Sequence, residues 1–573
     1  MKKMKHALCI LVTVLLLGTC LFPFDLSASA ATTYRMSRTK TTLYVGDSEQ
    51  LALLPASAKV TKKIVWRSSK ASVVPVKKGR ITAKKAGKAT ITAKLFGKTY
   101  RCLVTVKSAK VTYIEVPASD EAQTGNQIYQ QDVTHQMTSA SYWCRKCKDA
   151  DKVLLTGKEI VAQNAANYQA GNSMTDLKNM DIAYDSEKTR AALSTELMTD
   201  VRVDRIGNRT TIYRNGIALD TTAMDTWFAE MKRNIEGATV STTDTRKYGI
   251  CTMRADLFMA PTNDLVGWSE TDADSEFINS SLNVNEPVLI NLITADKKYY
   301  HVTCNNCSGW VEADHFAICD TKESWLAQWD LTNDNVLVVT GSHVTLNKSN
   351  LAPATSGIDL YLGTQLPLVS KNDIPEQIAE RYPWYSYTVY LPTRDANGKL
   401  KREFALISSH QDVHIGYPKL TVNNILTLAF SCLGDRYGWG GMLGAMDCSL
   451  YTRNIYRCFG LEIPRNTNWQ ANMSAYRKDL SQLDAKQKAA FIKTLTPGAL
   501  IQFPGHITMY LGTVNGKSYV ISDLGSLAES TGDLNIKSVY SVSINSLDVR
   551  RRSGKTWLEE ATWAICPFIP ASR

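Results

Sequence analysis

One stretch constrains this chain more than any other: Arg436-Tyr437-Gly438-Trp439-Gly440-Gly441, followed by Met446-Asp447-Cys448-Ser449. Behind the cysteine, Leu450, Tyr451, Ile455 and Phe459 recur at helical spacing, and Gly460 and Pro464 supply stop signals. Asp447 stands where an N-cap belongs. Cys448 is therefore expected on the first turn of a buried helix, where the dipole and free N–H groups favour a thiolate, the nucleophilic form of cysteine. A base is available downstream. Pro497-Gly498 opens an apolar run, Ala499 to Phe503, and Gly505-His506-Ile507-Thr508-Met509-Tyr510-Leu511-Gly512 reads as a strand with His506 at its start. After a turn at Gly516, Tyr519 to Ser522 reads as the next strand. A helix-borne cysteine facing a strand-borne histidine is the arrangement of a papain-like dyad. A lone cysteine is more often a small buried hydrophobe; the histidine strand and the glycine-rich approach favour the nucleophile here.

These residues, YGWGG…DCS and then PGALIQFPGHITMYLG, resemble the NlpC/P60 cysteine peptidases, which cut bacterial cell-wall peptides. The resemblance covers about 160 residues. It implies Cys448 as nucleophile, His506 as base, and Tyr437 beside the nucleophile. The third catalytic position, usually a polar His, Asn or Gln, falls on Ser522, whose hydroxyl can accept from an imidazole N–H and fix its tautomer. Asp523 is a charged alternative, but strand alternation points it to the other face. Leu450 and Ala499 replace the Gly and Asp the family usually carries. Asp447 and Ser449 match residues that touch the substrate's amine end in related enzymes. Asn466 stands where relatives often have an aspartate that helps hold that amine.

At 573 residues the chain is too long for one core, and several domains are expected. Lys2, Lys3 and Lys5, the apolar run Ala7 to Phe22 and Ala28-Ser29-Ala30 read as a secretory signal peptide over residues 1–30. Leu17-Gly18-Thr19-Cys20 resembles a lipoprotein box, with Thr19 where such boxes take Gly or Ala. No later stretch is apolar for long enough to span a membrane. The expected location is secreted or wall-associated, where disulfides are permitted. Cys144-x-x-Cys147 and Cys304-x-x-Cys307 each have half the spacing of a four-cysteine zinc site, but they lie in differently patterned segments. Local disulfides or free thiols fit better, and neither a metal nor a cofactor is expected.

In chain order, residues 32–107 carry short alternating strands with glycine turns, the pattern of a β-sandwich. They resemble the bacterial Ig-like group 2 domain. This segment holds 18 Lys and Arg against Asp47 and Glu49, whereas residues 108–573 sum to −6. Such a cationic unit suits an anionic surface such as a wall polymer or lipid headgroups. It equally suits a Lys-rich edge that discourages strand pairing. No nucleic-acid motif is present. Residues 108–245 are mixed and mostly helical, notably Gly157 to Tyr168 and Thr222 to Met231, and resemble the segment preceding the SH3 domains of some NlpC/P60 proteins. Residues 246–322 turn to β patterning and, closing on Gly309-Trp310-Val311, resemble a bacterial SH3 domain. Residues 323–410 read as a second SH3-like β-barrel. Residues 411–573 are the expected α+β papain-like peptidase domain.

The expected function is hydrolysis of peptidoglycan stem peptides after γ-D-Glu, as a γ-D-glutamyl-L-diamino acid endopeptidase. An N-acetylmuramoyl-L-alanine amidase using the same dyad and a non-catalytic wall-binding protein are the alternatives.

Overall fold

The computed structural model describes residues 33–107, 128–170, 174–240 and 244–571, so the signal peptide expected over residues 1–30 lies outside the described residues. The chain divides into two compact units, residues 1–125 and 126–573. No helix among the described residues is long and apolar enough to cross a membrane.

The first unit is a sandwich because its strands alternate. Along Gly87–Leu95, Ala89, Ile91, Ala93 and Leu95 are buried while Lys88 and Lys94 face water. One sheet runs Lys40–Tyr44, Lys98–Lys107, Gly87–Leu95, Val65–Ser68, with its first pair parallel. The other runs Ser48–Gln50, Arg80–Thr82, Val76–Lys77. Leu51, Val74, Ile81, Cys102 and Val104 fill the space between.

In the second unit the helical segment serves two neighbours. Helix Gly157–Gln169 opens on a capping box made by Thr156 and Glu159, and Ile160 shares a core with Trp143, Leu420 and the C-terminal helices. Helix Thr221–Glu236 buries Met224, Trp227, Phe228, Met231 and Ile235 at helical spacing. That stripe packs on the first barrel, where Trp227 stacks on Phe277 with ring centroids 5.8 Å apart and shares a core with Trp310. The barrel itself is a seven-stranded antiparallel sheet: Ile278–Leu282, Ala255–Phe258, Ser308–Glu312, Tyr299–Thr303, Pro287–Ile293, Lys247–Cys251, Phe316–Cys319.

Helix Lys322–Trp329, not read from the sequence, separates this barrel from a second β unit centred on Val336–Val339. Val413–Ile415 pairs with that central strand, so the sheet continues past residue 410. The C-terminal sheet has six strands in the order Ala475–Asp479, Trp563–Pro570, Leu500–Phe503, His506–Val514, Lys517–Ala528, Ile536–Ser546. Helices Val422–Phe430 and Cys448–Arg457 share one core with it.

Candidate active site

The approach to Cys448 is built from glycine because nothing larger fits. Gly440 and Gly441 have φ of 64° and 97°, left-handed values that strain any side chain. A Cβ on Gly441 would fall against Ser281 and 2.8 Å from Leu450. Leu450, one of the departures from the family pattern, thus fills space the loop leaves open. The same loop is held from the first barrel by Arg254, whose Nη2 donates to the carbonyls of Gly441 and Ala445 at 2.9 and 2.6 Å. Met442 inserts its side chain into the barrel core beside Ile278.

Asp447 caps helix Cys448–Arg457 as expected, its Oδ1 accepting from the N–H groups of Ser449 and Leu450 at 3.0 and 2.8 Å. Arg465 grips the same carboxylate through Nη1 at 3.0 Å and Nη2 at 2.7 Å. It also donates to Ser449 Oγ at 2.8 Å and to Ser280 Oγ of the barrel at 2.7 Å. Burial would raise the Asp447 pKa, but Arg465 and the cap hydrogen bonds hold it below the ordinary carboxylate range. Asn466 caps the following helix, accepting from Trp469 N–H at 2.9 Å. Asp447, Ser449 and Asn466 are thus occupied by the fold itself, Asp447 and Ser449 being buried as well.

Cys448 sits at the first helical position, and its sulfur takes a hydrogen bond from the backbone N–H of Ile507, the residue after His506. The helix start favours a thiolate, and burial opposes it. Burial, with Asp447 beside it, pushes the thiol up to about 12. Desolvation of a charge outweighs the helix-terminus stabilisation of about 0.3–1 kcal/mol. Burial and nearby Arg551 likewise push His506 down to about 3. Both shifts favour the neutral forms, a thiol whose proton moves to the imidazole during attack. His506 Nε2 lies 3.2 Å from Ser522 Oγ, and its ring packs edge-on against Trp557 with centroids 5.1 Å apart. That arrangement leaves Nδ1 for the thiol.

Asp523 occupies the next position on the strand. Both its oxygens are buried without a hydrogen-bond partner. Burial, with Asp447 and Asp435 near, pushes its carboxyl up to about 9, so it is neutral at pH 7. A carboxyl raised from 3.8 keeps its proton in the folded state and loses it in the unfolded state. Stability therefore falls as pH rises between 3.8 and about 9, by up to about 1.4 kcal/mol per unit. Asp523→Asn is expected to remove that slope and raise stability at pH 8 while hydrolysis stays within about threefold; urea unfolding at pH 5 and pH 8 checks it. A severe loss of hydrolysis would make Asp523 part of the catalytic apparatus.

Tyr437 is buried with its ring 5.8 Å from that of Tyr540. Burial, then the neighbouring Cys448 and Asp447, raise its phenol. Asp274, from the barrel, was not singled out by the sequence. It accepts from the Trp439 N–H, and its Oδ1 is buried without a partner. Nothing in the local sequence marks it, because the approach is made by tertiary packing. A separate cavity of about 870 Å³, lined by Ile160, Tyr168, Trp329, Tyr417 and Phe459, does not include Cys448 among its walls.

The two C-x-x-C pairs do not combine. All cysteines among the described residues are free thiols, and no cluster of three or more His, Cys, Asp or Glu positioned to hold a metal occurs there.

Comparison with known proteins agrees with this architecture. The model of the NlpC/P60 family matches residues 434–546, that of an SH3 domain of the SH3b1 type matches 274–312, and that of the bacterial Ig-like domain (group 2) matches 30–95. The gamma-D-glutamyl-L-lysine dipeptidyl-peptidase of Bacillus cereus is 26% identical over 187 residues, 32% of this chain and 50% of that protein. The chain therefore spans about half the length of this curated relative. An NlpC/P60 endopeptidase from Photobacterium damselae subsp. piscicida superposes with a TM-score of 0.59 at 17% identity, over 78% of this chain and 99% of that one. An NlpC/P60 family protein from Bacillus cereus covers 56% of this chain and 100% of its own, at 19% identity and a TM-score of 0.38.

Proposed function

We propose, from the premise that this chain carries an NlpC/P60 domain of the cysteine-peptidase type together with SH3-like and Ig-like domains, that it is an exported peptidoglycan hydrolase cleaving stem peptides after γ-D-Glu. The observation that carries this is Cys448 at a capped helix start, its sulfur held by the N–H beside a His506–Ser522 pair. Cys448 attacks the carbonyl carbon as His506 Nδ1 takes the thiol proton, and a thioester forms when that proton passes to the leaving amine. Water then attacks the thioester with His506 again as base, releasing the acid and restoring the thiol. Ser522 accepts from Nε2–H and holds the tautomer that leaves Nδ1 free. Asp447 consumes the N–H groups of Ser449 and Leu450. The Cys448 N–H, which has no intrahelical acceptor at this position, is left to face the oxyanion.

The same geometry revises the substrate contacts. Asp447 and Ser449 build the helix start with Arg465, so their part in binding a substrate amine is shared with that structural role. Asn466, a helix cap without charge, does not replace them. Asp274 is the candidate anion: burial raises its carboxyl against the Trp439 N–H and Arg436, and its unpartnered oxygen stands with Tyr437 and Trp439 on the barrel side of the site, where a substrate amine would favour the ionised form. Walled by the barrel and given an anion for a free amine, the site suits short peptides beginning with L-Ala over glycan-linked stems. The test compares free L-Ala-γ-D-Glu-diamino acid tripeptide, its N-acetylated form and intact sacculi. The free tripeptide is expected to be preferred at least about tenfold over the acetylated one, with Asp274→Asn erasing the preference. Indifference to acetylation, or efficient release from sacculi, would mean an open cleft. Release of a whole stem peptide bearing its L-Ala would mean an amidase.

The Ig-like unit, with its excess of Lys and Arg, is proposed to hold the enzyme on anionic wall polymers. Binding of the full chain to purified walls is expected to fall steeply as salt rises. Salt-independent binding would remove the electrostatic account.

A further inference from the structure

The turn Cys304-Asn305-Asn306-Cys307 joins strands Tyr299–Thr303 and Ser308–Glu312 of the first barrel. It brings the two sulfurs within 2.8 Å of each other, closed by a hydrogen bond from Cys304 N–H to Cys307 C=O at 2.9 Å. Cys304 is buried and Cys307 half-buried. The two thiols are not equivalent. The hydrogen bond from Cys304 is the main influence lowering Cys307, with Arg465 and Arg453 nearby adding to it, whereas burial drives Cys304 well up. Cys307, the less buried residue of the two, is thus the nucleophilic thiol and Cys304 the resolving one.

The pair is joined to the candidate active site by a continuous set of contacts. The Ser280 hydroxyl is hydrogen-bonded to the Cys307 sulfur. Ser280 Oγ accepts from Arg465 Nε at 2.7 Å, and Arg465 grips Asp447, the cap of the Cys448 helix. We propose that Cys304 and Cys307 form a reversible dithiol–disulfide site whose state is passed to the nucleophile through Ser280, Arg465 and Asp447. In the oxidising direction Cys307 thiolate attacks the disulfide of a low-molecular-weight or protein disulfide donor. A mixed disulfide forms and one thiolate leaves. Cys304, losing its proton to water, attacks the Cys307 sulfur and expels the second thiolate, so the donor gains the two electrons the pair gives up. The new bond turns the Cys307 sulfur away from Ser280, and Arg465 loses a fixed acceptor on its Nε side. The alignment of the Asp447 cap, and with it the reactivity of Cys448, weakens.

The full chain is equilibrated in dithiol–disulfide buffers, the pairing is mapped by peptide mass, and the rate of iodoacetamide alkylation at the Cys448 peptide is followed. A Cys304–Cys307 disulfide is expected in the oxidised sample, with Cys448 alkylation slowed roughly fivefold and restored by reduction. The Cys304→Ser/Cys307→Ser double variant should show no such response. Absence of the 304–307 bond, an unchanged alkylation rate when it has formed, or an equal response in the double variant would each overturn the proposal. The effect on turnover rests on the peptidase function proposed above, but the mapped bond and the alkylation rate do not, so the two can fail separately.

Discussion

Cys448→Ala is expected to lower hydrolysis of the free tripeptide by more than about a thousandfold, with the unfolding midpoint little changed. The sulfur is the only nucleophile the helix start presents beside His506, and no neighbouring hydroxyl is free to replace it: Ser449 Oγ is bonded to Asp447 and Arg465. His506→Ala should be nearly as damaging. With the thiol held up to about 12, almost no thiolate exists at pH 7, and attack depends on a base in place. Ser522→Ala should cost less, on the order of tenfold to a hundredfold, because it orients the base and moves no proton. Single-turnover kinetics with each variant checks the order. Wild-type-like turnover by Cys448→Ala would end the cysteine-peptidase account, and equal losses for Ser522 and His506 would make Ser522 a full triad member.

The second large effect is expected in the fold. Glu286 of the first barrel meets Arg453 of the catalytic helix with Oε2 2.8 Å from Nη2, both side chains almost fully buried. Arg457 stands 3.6 Å from the same oxygen, and Asn283 N–H donates to the other at 3.1 Å. Burial alone would raise Glu286; Arg453 and Arg457 outweigh it and hold its carboxyl down to about 2. Glu286→Ala leaves Arg453 charged, buried and deprived of its close carboxylate, a change expected to cost about 3–5 kcal/mol. Glu286→Met combined with Arg453→Met should recover much of that loss, since the pair's attraction is largely offset by its own desolvation. A depressed carboxyl contributes stability above its ordinary value of 4.5 that is lost as pH falls towards about 2. The wild type should therefore show an acid limb that Glu286→Gln lacks. Denaturant titrations at pH 7 and pH 3 measure both. A cost below about 1 kcal/mol would show that the barrel and the peptidase helix are not energetically joined there.

What the sequence determined by itself was local. The spacing of Leu450, Tyr451, Ile455 and Phe459 behind an Asp447 cap required a buried helix with Cys448 at its first turn, and it forms as Cys448–Arg457. The alternation from His506 onward required a strand, and strand parity put Ser522 on the His506 side and Asp523 away from it. The alternation and turns of residues 32–107 likewise required a sandwich. These features follow from periods of 3.6 and 2 and from capping chemistry, which act over a few residues.

Tertiary structure decided what depends on neighbours remote in sequence. The burial that opposes a thiolate at Cys448 belongs here, because a helix dipole is visible in sequence and burial is not. Asp447 and Ser449 are held by Arg465, 18 and 16 residues away, a contact that no local pattern shows. Arg254, Asp274 and Glu286 carried no local signal, because each acts on the peptidase from the barrel across more than 160 residues of chain. Helix Lys322–Trp329 escaped for a related reason: Trp325 and Gln328 are buried on it while its remaining positions are mixed, and the fold around it fixes the helix more than its own pattern does.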